Sequence, residues 1–477
     1  MLKFKLKDRK ILRDIYDFAK SRRVRLYLVG GALRDLILKR EKANPDFDFA
    51  IKSRAISFGR SLAYKMKAGF VVLDQEHGAC RIVKKTDAGI YTFDFSDFRG
   101  KDIAEDLRKR DFTINSLALE LREVFDSKDL NSVLIDRYGA RQDLKAKVIR
   151  IVDKGSFSDD PLRILRAFSF AARLGFKIDQ ATLKAAKAGK AKLAQVSFER
   201  IRDELFKILD SEKTYACLIA LDKLKILEII FPELKKMRGI GQGPYHHLDV
   251  KQHTLESVRQ MELILGDIKD KDIRGFLNAY ISADRSRKQL LKLAALLHDT
   301  GKPATLRRKK GRITFHGHER VGVALSEDIA KRLKLSNDEL YSLRKIIICH
   351  LRPGFLADSE YPTARAKFRF FRDAGREALS VLLLSLADQR ATKGPLTTAE
   401  SRLRHERVVS RLIREKLKKS KEKEKARLLN GNDIMKKFQL APSPLIGKIL
   451  AQIAELQAIG KVKSKQEAFK AAARLVK

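Results

Sequence analysis

The sequence predicts an α+β fold: a small mixed α/β domain first, then a long all-helical remainder. Three observations carry this. Up to about residue 152, short runs rich in aromatic and β-branched residues alternate with helical patterns. From Asp160 the apolar spacing changes to the helical period, and no strand of any length is expected after that point. Finally, 477 residues suffice for about three domains at roughly 150 residues each.

Taken in order, MLKFKLKDRKILRDIYDFAK sets Ile11, Leu12, Ile15, Tyr16 and Phe18 at helical spacing. Its acids Asp8, Asp14 and Asp17 argue against a signal or transit peptide. Leu26–Val29 reads as an apolar strand that meets Gly30-Gly31 and then a helix, ALRDLILKR. Phe47–Ile51, Phe70–Leu73 and Tyr91–Phe95 are further short strands. In LRILRAFSFAARLGF, positions Leu162, Leu165, Phe168 or Ser169, and Ala172 share one helix face. Residues 238–400 hold seven of the nine histidines, and 401–428 carry twelve Lys/Arg against four Glu. That last stretch reads as a basic helix with a stripe of Leu403, Val409, Leu412, Ile413 and Leu417. It serves either as a solvated face or as an RNA contact. The chain then shows an Asn/Asp cap signal in LLNGNDIMKKF and a terminal helix pair near PLIGKILAQIAEL and KQEAFKAAARLV. The boundaries expected are 1–152, 153–237, 238–400 and 401–477.

Composition narrows the function. The formal charge is +42, with 34% charged and 44% hydrophobic residues, so the chain can bury cores while presenting a basic surface. Such an excess points to a polyanion, most often nucleic acid. No apolar run approaches 18 residues, which excludes a transmembrane helix, and no lipidation signal favours a membrane partner. Three scattered cysteines, Cys80, Cys217 and Cys349, make neither a disulfide framework nor a thiolate zinc site. A cytoplasmic, reducing location is expected.

The strongest local signal is LVGGALRDLILKREKANPDFDFAI. Two glycines between strand and helix let the backbone approach a phosphate, and Arg34 adds a charge-assisted contact. Asp46 and Asp48 then lie at i and i+2 of a strand, so both carboxylates face the same way. Like charges so placed need a cation, and hard oxygens beside a triphosphate favour Mg²⁺. The constellation suits two-metal nucleotidyl transfer. Asp94, in FDF, is a further acid that could stand near these two.

Two segments extend the pattern. Arg110 and Asp111, in RDFTIN, are expected at the start of an apolar helix, where Asp111 and Thr113 could equally be caps. DDPLRILR is expected to open the long helix, with Pro161 in its first turn and Asp160 and Arg163 projecting together. A carboxylate accepts from the exocyclic amine of cytosine or adenine while a guanidinium donates to the ring nitrogen beside it. Uracil and guanine place a carbonyl there instead. The pair could therefore select C and A without a template, or could simply be a capped, salt-bridged helix start.

Together these residues resemble the class II tRNA nucleotidyltransferase and bacterial poly(A) polymerase family over nearly the whole chain. GGALRD with DFD (30–48) resembles the head motif, RDFTIN (110–115) the sugar-binding motif, and 135–150 the flexible connector. DDPLR (159–163) is similar to the base-selecting motif, and SFERIRDELFKIL (197–209) to the neck helix behind it. The resemblance implies a polymerase-beta-like head followed by all-α neck, HD and tail domains. It also implies Mg²⁺ on Asp46 and Asp48, and nucleotide contacts from Gly30, Gly31, Arg34, Arg110, Asp111, Asp160, Arg163 and Arg166. Asp159 stands where the family usually has Glu, Ser169 where many members have Arg, and the tail reads Ala-Pro-Ser-Pro where a glycine usually separates the prolines.

The histidine-rich middle carries a second chemistry. His253, His298-Asp299 and Asp388 sit at separate helix positions, a mixed N/O donor set suited to Mn²⁺, Fe²⁺, Ni²⁺ or Zn²⁺. This resembles the HD phosphohydrolase domain, with those four as core ligands and His318 and His350 as candidates for a second ion. Single histidines such as His316 read as surface or core residues.

The functional expectation is template-independent addition of CCA to tRNA 3′ ends from CTP and ATP. Rivals sharing the head motifs are a CC-adding or A-adding enzyme and a poly(A) polymerase. From other classes come an HD phosphohydrolase with a degenerate head, and a non-catalytic RNA chaperone. The sequence leaves oligomeric state open.

Overall fold

The computed structural model describes residues 4–40, 44–87, 89–421 and 426–476. Residues 422–425, part of the expected basic helix, lie outside the described residues. The chain divides into two compact units, 1–204 and 205–477.

The first unit is built on a six-stranded sheet: β1 (Tyr27–Val29), β2 (Asp46–Ile51), β3 (Gly69–Asp74), β4 (Ala79–Thr86), β5 (Gly89–Asp97) and β6 (Ala118–Glu120). The strand order is β3-β4-β5-β2-β1-β6; β2 and β5 run parallel and every other pair antiparallel. Period-two alternation explains the centre. In DFDFAI the phenylalanines Phe47 and Phe49 face inward and stack on Phe93 and Phe95 of β5, with Phe49–Phe95 centroids 4.8 Å apart. The helix Ala55–Met66 packs against this side through Phe58 and Leu62. The even positions, Asp46 and Asp48, turn to the other face. The helix Leu6–Ser21 buries Ile11, Leu12, Ile15 and Phe18, as its spacing predicts.

After the sheet, the helix Arg163–Leu174 buries Leu165, Phe168, Ser169 and Ala172. The helices Gln180–Gly189 and Phe198–Asp210 follow, and the division between units falls inside the latter. In the second unit five helices surround the histidines: Val250–Asp267, Arg287–Leu297, His318–Arg332, Asn337–Cys349 and Ala378–Ala391. The tail helices Gly431–Phe438, Pro444–Ala458 and Lys465–Val476 close over a core of Ile434, Ile446, Ile449, Ile453 and Ala468. Asn430 and Asp433 form the expected capping box.

Several expectations are corrected. Short strands do interrupt the helical remainder: Lys177–Ile178 pairs with Val148–Ile149, Tyr280–Ser282 with Arg285–Ser286, and Arg307–Lys309 with Arg312–Thr314. Two or three residues are too few to display a period of two. β4 and β6 went unrecognised. Arg110-Asp111 does not open an apolar helix; a single 3₁₀ turn, Thr113–Asn115, leads into β6 instead. The run Leu117–Leu119 is buried throughout, and periodicity cannot separate a fully buried strand from a helix. The long helix begins at Arg163 rather than at Asp160. Asp160 is extended (φ −146°, ψ 101°), as a residue before proline prefers. In the helix Ala399–Lys421, Val409 and Leu412 are buried but Leu403 is 56% exposed, so the apolar stripe starts later than its spacing suggests.

Candidate active site and metal centre

In the first unit the parallel pairing of β2 with β5 sets Asp48 level with Asp94. Carboxylate oxygens of Asp46, Asp48 and Asp94 lie within 4.8 Å of one another. Arg81, opposite Asp94 on β4, holds it with two bonds of 2.8 and 2.7 Å. One acid of the three is thus neutralised internally, and the cluster keeps a net charge suited to divalent cations. Gly30 closes β1 against this group at φ 71° and ψ −131°, a region open to glycine. A Cβ there would stand 3.2 Å from Arg110 Nη1 and 3.3 Å from Asp48 Oδ2. The glycine therefore admits the acid and the guanidinium to one spot. Gly31 opens the helix Gly31–Ile37, which carries the buried Arg34.

The other residues singled out in the head form a single chain of bonds. Arg34 donates to Asp35 (2.9 Å) and to Asn115 Oδ1 (2.7 Å); Asn115 donates to Asp111 Oδ1 (3.0 Å). Arg166 Nη2 lies 2.9 Å from Asp111 Oδ2. Burial works against the charge on Asp111, but Arg166, Asn115 and the Phe112 N–H outweigh it and hold the carboxyl below its usual range. The guanidiniums of Arg34, Arg166 and Arg173 all stand over the Phe170 ring, at 5.2, 5.6 and 5.6 Å. Arg110 pairs with Asp106 at 2.9 Å. Asp160 and Arg163 do not meet: Asp160 pairs with Arg200 (2.8 Å), while Arg163 donates to the Lys109 carbonyl (2.9 Å) and Ser156 Oγ (3.0 Å). Asn115, Asp106 and Phe170 went unassigned from sequence. Asn115 had a signal, being four residues after Asp111 in a helix-like register, but its role shows only in the 3₁₀ turn.

The second unit gathers its histidines around Asp299. His298 and His350 each end a helix, and His318 begins one. Each donates Nδ1–H to the carbonyl three residues back, on Ala295, Phe315 and Ile347 at 2.9, 2.9 and 2.6 Å. In a neutral ring this fixes Nε2 as the bare lone pair aimed inward. Nε2 of His298 and His318 lie 3.3 Å from the Asp299 carboxylate, and that of His350 at 3.9 Å. His253 Nε2 stands 2.8 Å from Asp388 Oδ1 and 3.6 Å from Asp299 Oδ2. His318 and His350 confront each other Nε2 to Nε2 at 3.2 Å. Two lone pairs at that distance repel unless a cation lies between them, so the donor set fits a metal.

Two groupings meet that condition, His253–His298–Asp299 and Asp299–His318–His350, with Asp299 common to both. Burial pushes His350 and the nearby His246 down, to about 3 and about 4, keeping both neutral. Burial opposes charge on His298 as well, yet Asp299 and Asp388 draw it up to about 10. The positive charge those carboxylates accommodate is of the kind a divalent ion brings. Lys302 Nζ, at 2.6 Å from both Asp299 Oδ2 and Gln242 Oε1, completes the carboxylate's contacts. Both Lys302 and His246 went unassigned from sequence. Lys302 lies three residues after Asp299, a spacing that could have flagged it.

Family models match in three blocks: the poly(A) polymerase head domain over 26–150, the probable RNA- and SrmB-binding site of polymerase A over 175–237, and the HD domain over 250–393. The A-adding tRNA nucleotidyltransferase of Deinococcus radiodurans is 34% identical over 452 residues, covering 92% of this chain and 93% of that one. The CC-adding tRNA nucleotidyltransferase of Geobacter sulfurreducens is 30% identical over 444 residues, covering 93% and 90%. In fold, the chain superposes on the Thermotoga maritima CCA-adding enzyme complexed with tRNA with a TM-score of 0.64, at 20% identity over 100% of this chain and 97% of that one. No helix among the described residues is long and apolar enough to cross a membrane. The chain belongs to the family of class II tRNA nucleotidyltransferases and bacterial poly(A) polymerases, and carries an HD domain.

Proposed function

We propose that this chain completes tRNA 3′ ends by template-independent addition of CCA from CTP and ATP. The observation that carries the reading is the convergence of Asp46, Asp48 and Asp94 within 4.8 Å beside the Gly30 turn. Asp46 and Asp48 would hold Mg²⁺, which when bound supplies activation of the attacking hydroxyl and neutralises charge on departing pyrophosphate. Arg34, Arg110 and Arg166 would meet the sugar and phosphates. The bonds through Asn115 and Asp111 keep the Arg34 and Arg166 guanidiniums in place before substrate arrives. Asp160 would accept from the amine of C or A and Arg163 donate to the ring. Arg200 supports this by favouring the ionised Asp160. Residues 1–152 would act as head, 153–237 as neck, 238–400 as HD domain and 401–477 as tail. The basic excess would hold the acceptor arm through its phosphates, with steep salt dependence. A cytoplasmic location is in keeping with three buried free thiols.

In the HD domain, His253, His298, Asp299 and Asp388 would hold one ion, and His318 with His350 a second; Mn²⁺, Ni²⁺, Fe²⁺ or Zn²⁺ suits these donors. Such a centre, once loaded, supplies a metal-activated water for phosphoester hydrolysis at an RNA end.

A second reading makes the chain an A-adding enzyme. Its support is the 34% identity with the A-adding relative, against 30% for the CC-adding one. One experiment decides. Transcripts ending before CCA, after C and after CC are offered CTP or ATP, singly and together, and products are sized to one nucleotide. Three additions support CCA synthesis. Extension of the CC-ended transcript alone, by one A, supports the second reading. A long A ladder or no extension refutes both.

A further inference from the structure

Between the two halves of the histidine cluster the chain leaves the helical body as a small β-hairpin. Arg307–Lys309 pairs with Arg312–Thr314, in register Arg307↔Thr314, Arg308↔Ile313 and Lys309↔Arg312. Five of its residues are cations: Arg307, Arg308, Lys309, Lys310 and Arg312. All five are exposed, and none makes an ion pair among the described residues. No acid occurs between Asp299 and Glu319. Arginines elsewhere in this unit are extensively paired, as in Arg285–Glu339 and Arg332–Glu233.

The hairpin's own stability argues against these charges. Lys309 and Arg312 sit directly across from each other, where like charges destabilise a strand pair. Lys310 takes the first central position of the turn at φ 47°, with Gly311 at φ 73°. Two successive positive φ values define a type I′ turn, for which Asn or Gly is the favoured first residue. A cation occupies both kinds of position where the hairpin alone would prefer something else. An external polyanion supplies the missing compensation.

Both feet of the hairpin stand in the metal cluster. Lys302, bonded to Asp299, lies 5.6 Å over the Phe315 ring, and the Phe315 carbonyl accepts Nδ1–H of His318. Gly301 is pressed so closely on the His318 carbonyl that a Cβ would collide with it. We propose that the hairpin 307–314 is an RNA-binding arm of the HD cluster, gripping backbone phosphates and leading an RNA strand to the metal residues. The substrate class of that cluster is then a polymeric RNA end rather than a free nucleotide. Cations at i and i+2 of a strand repeat about every 6.6 Å along a line. That spacing serves a linear chain of phosphates, whereas one small phosphate calls for donors converging on a point.

The inference rests on the metal-binding reading of the cluster only for its substrate class; RNA binding by the arm is separately measurable. The test neutralises the arm in the full, metal-loaded chain: Arg307→Gln, Arg308→Gln, Lys309→Gln, Lys310→Asn and Arg312→Gln. Affinity for a single-stranded RNA of about a dozen nucleotides bearing a 3′-phosphate is followed against KCl concentration. With three phosphates released at about 0.7 each, the slope of log affinity on log salt should fall by about 2. The dissociation constant near the lowest salt should rise at least tenfold, while hydrolysis of bis-p-nitrophenyl phosphate stays within twofold. Unchanged affinity and slope overturn the arm. So does equal loss of the small ester's hydrolysis, or an arm that binds anionic phosphatidylserine vesicles but not RNA. A wild-type chain that takes up no metal by mass spectrometry and hydrolyses neither substrate overturns the cluster reading instead, and the salt slope still decides the arm.

Discussion

Asp111→Asn is the sharpest probe of how the head is held together. Asp111 is 8% exposed and accepts four bonds: 2.9 and 3.1 Å from Arg166, 3.0 Å from Asn115 and 2.8 Å from the Phe112 N–H. Asparagine keeps the shape and, with its oxygen toward Asn115 and Phe112, sets an NH₂ against the Arg166 guanidinium. Two charge-assisted bonds become a donor–donor contact. Breaking a fully buried pair costs about 3–5 kcal/mol, and the 38% exposure of the Arg166 side chain lowers this to about 2–4 kcal/mol. At 1.4 kcal/mol per decade, amide protection in peptides spanning 111–120 should fall roughly 30- to 1,000-fold by hydrogen exchange. Peptides from 250–400 should not change.

The pH dependence has a fixed sign. Asp111 has its folded pKa below the ordinary 3.8, so its contribution is whole above that value and lost as pH falls toward the folded pKa. The gap in protection between wild type and variant should stay level from pH 8 to about 5 and shrink progressively below about 4. Unchanged protection near neutrality, or a gap that persists undiminished in acid, would refute the network as the element that orders this turn.

Other expectations follow from the same geometry. Asp46→Ala should remove RNA extension and leave small-ester hydrolysis, while His298→Ala should do the reverse; loss of both activities in either variant sinks the two-site reading. Gly30→Ala forces an L-residue into a glycine conformation at about 1–3 kcal/mol and crowds Arg110 and Asp48, so extension should slow at least tenfold; an unaltered rate would show the turn is not tied to the chemistry. Mn²⁺ at a hundredfold over its dissociation constant should stabilise the chain by about 2.7 kcal/mol in calorimetry, an increment that shrinks in His350→Ala; equal increments would remove His350 from the metal site. Asp160→Asn should raise U incorporation relative to C tenfold or more in single-nucleotide extension assays, and preserved discrimination would assign base choice elsewhere.

Much of the head was legible because its signals are local. DFDFAI states its own two faces: the phenylalanines enter the core and the acids leave it. The Gly30-Gly31 turn is equally local, since φ 71° reflects a backbone need that only glycine meets cheaply. What failed was the reading of segments whose environment is set from outside. Leu117–Leu119 looks helical until β1 is placed beside it, and Asp160 looks like a helix start until Pro161 imposes extension. Short hairpins carry too little pattern to register, which is why the arm at 307–314 escaped notice.

The sites divide along the same line. Asp46 and Asp48 were readable from i and i+2 spacing, whereas Asp94 reaches them only through a parallel register set 46 residues away. The histidine cluster was readable in its donors, since His-Asp at a helix end is a local signature. Its assembly depends on five helices and on carbonyls three residues behind each of three rings, a detail no one-dimensional spacing conveys. Those carbonyls do the chemical work of choosing the tautomer. Were His318 and His350 to donate from Nε2 instead, the two N–H groups would collide at 3.2 Å and neither could ligate. The helix ends that supply the carbonyls therefore belong to the metal site as much as the imidazoles do.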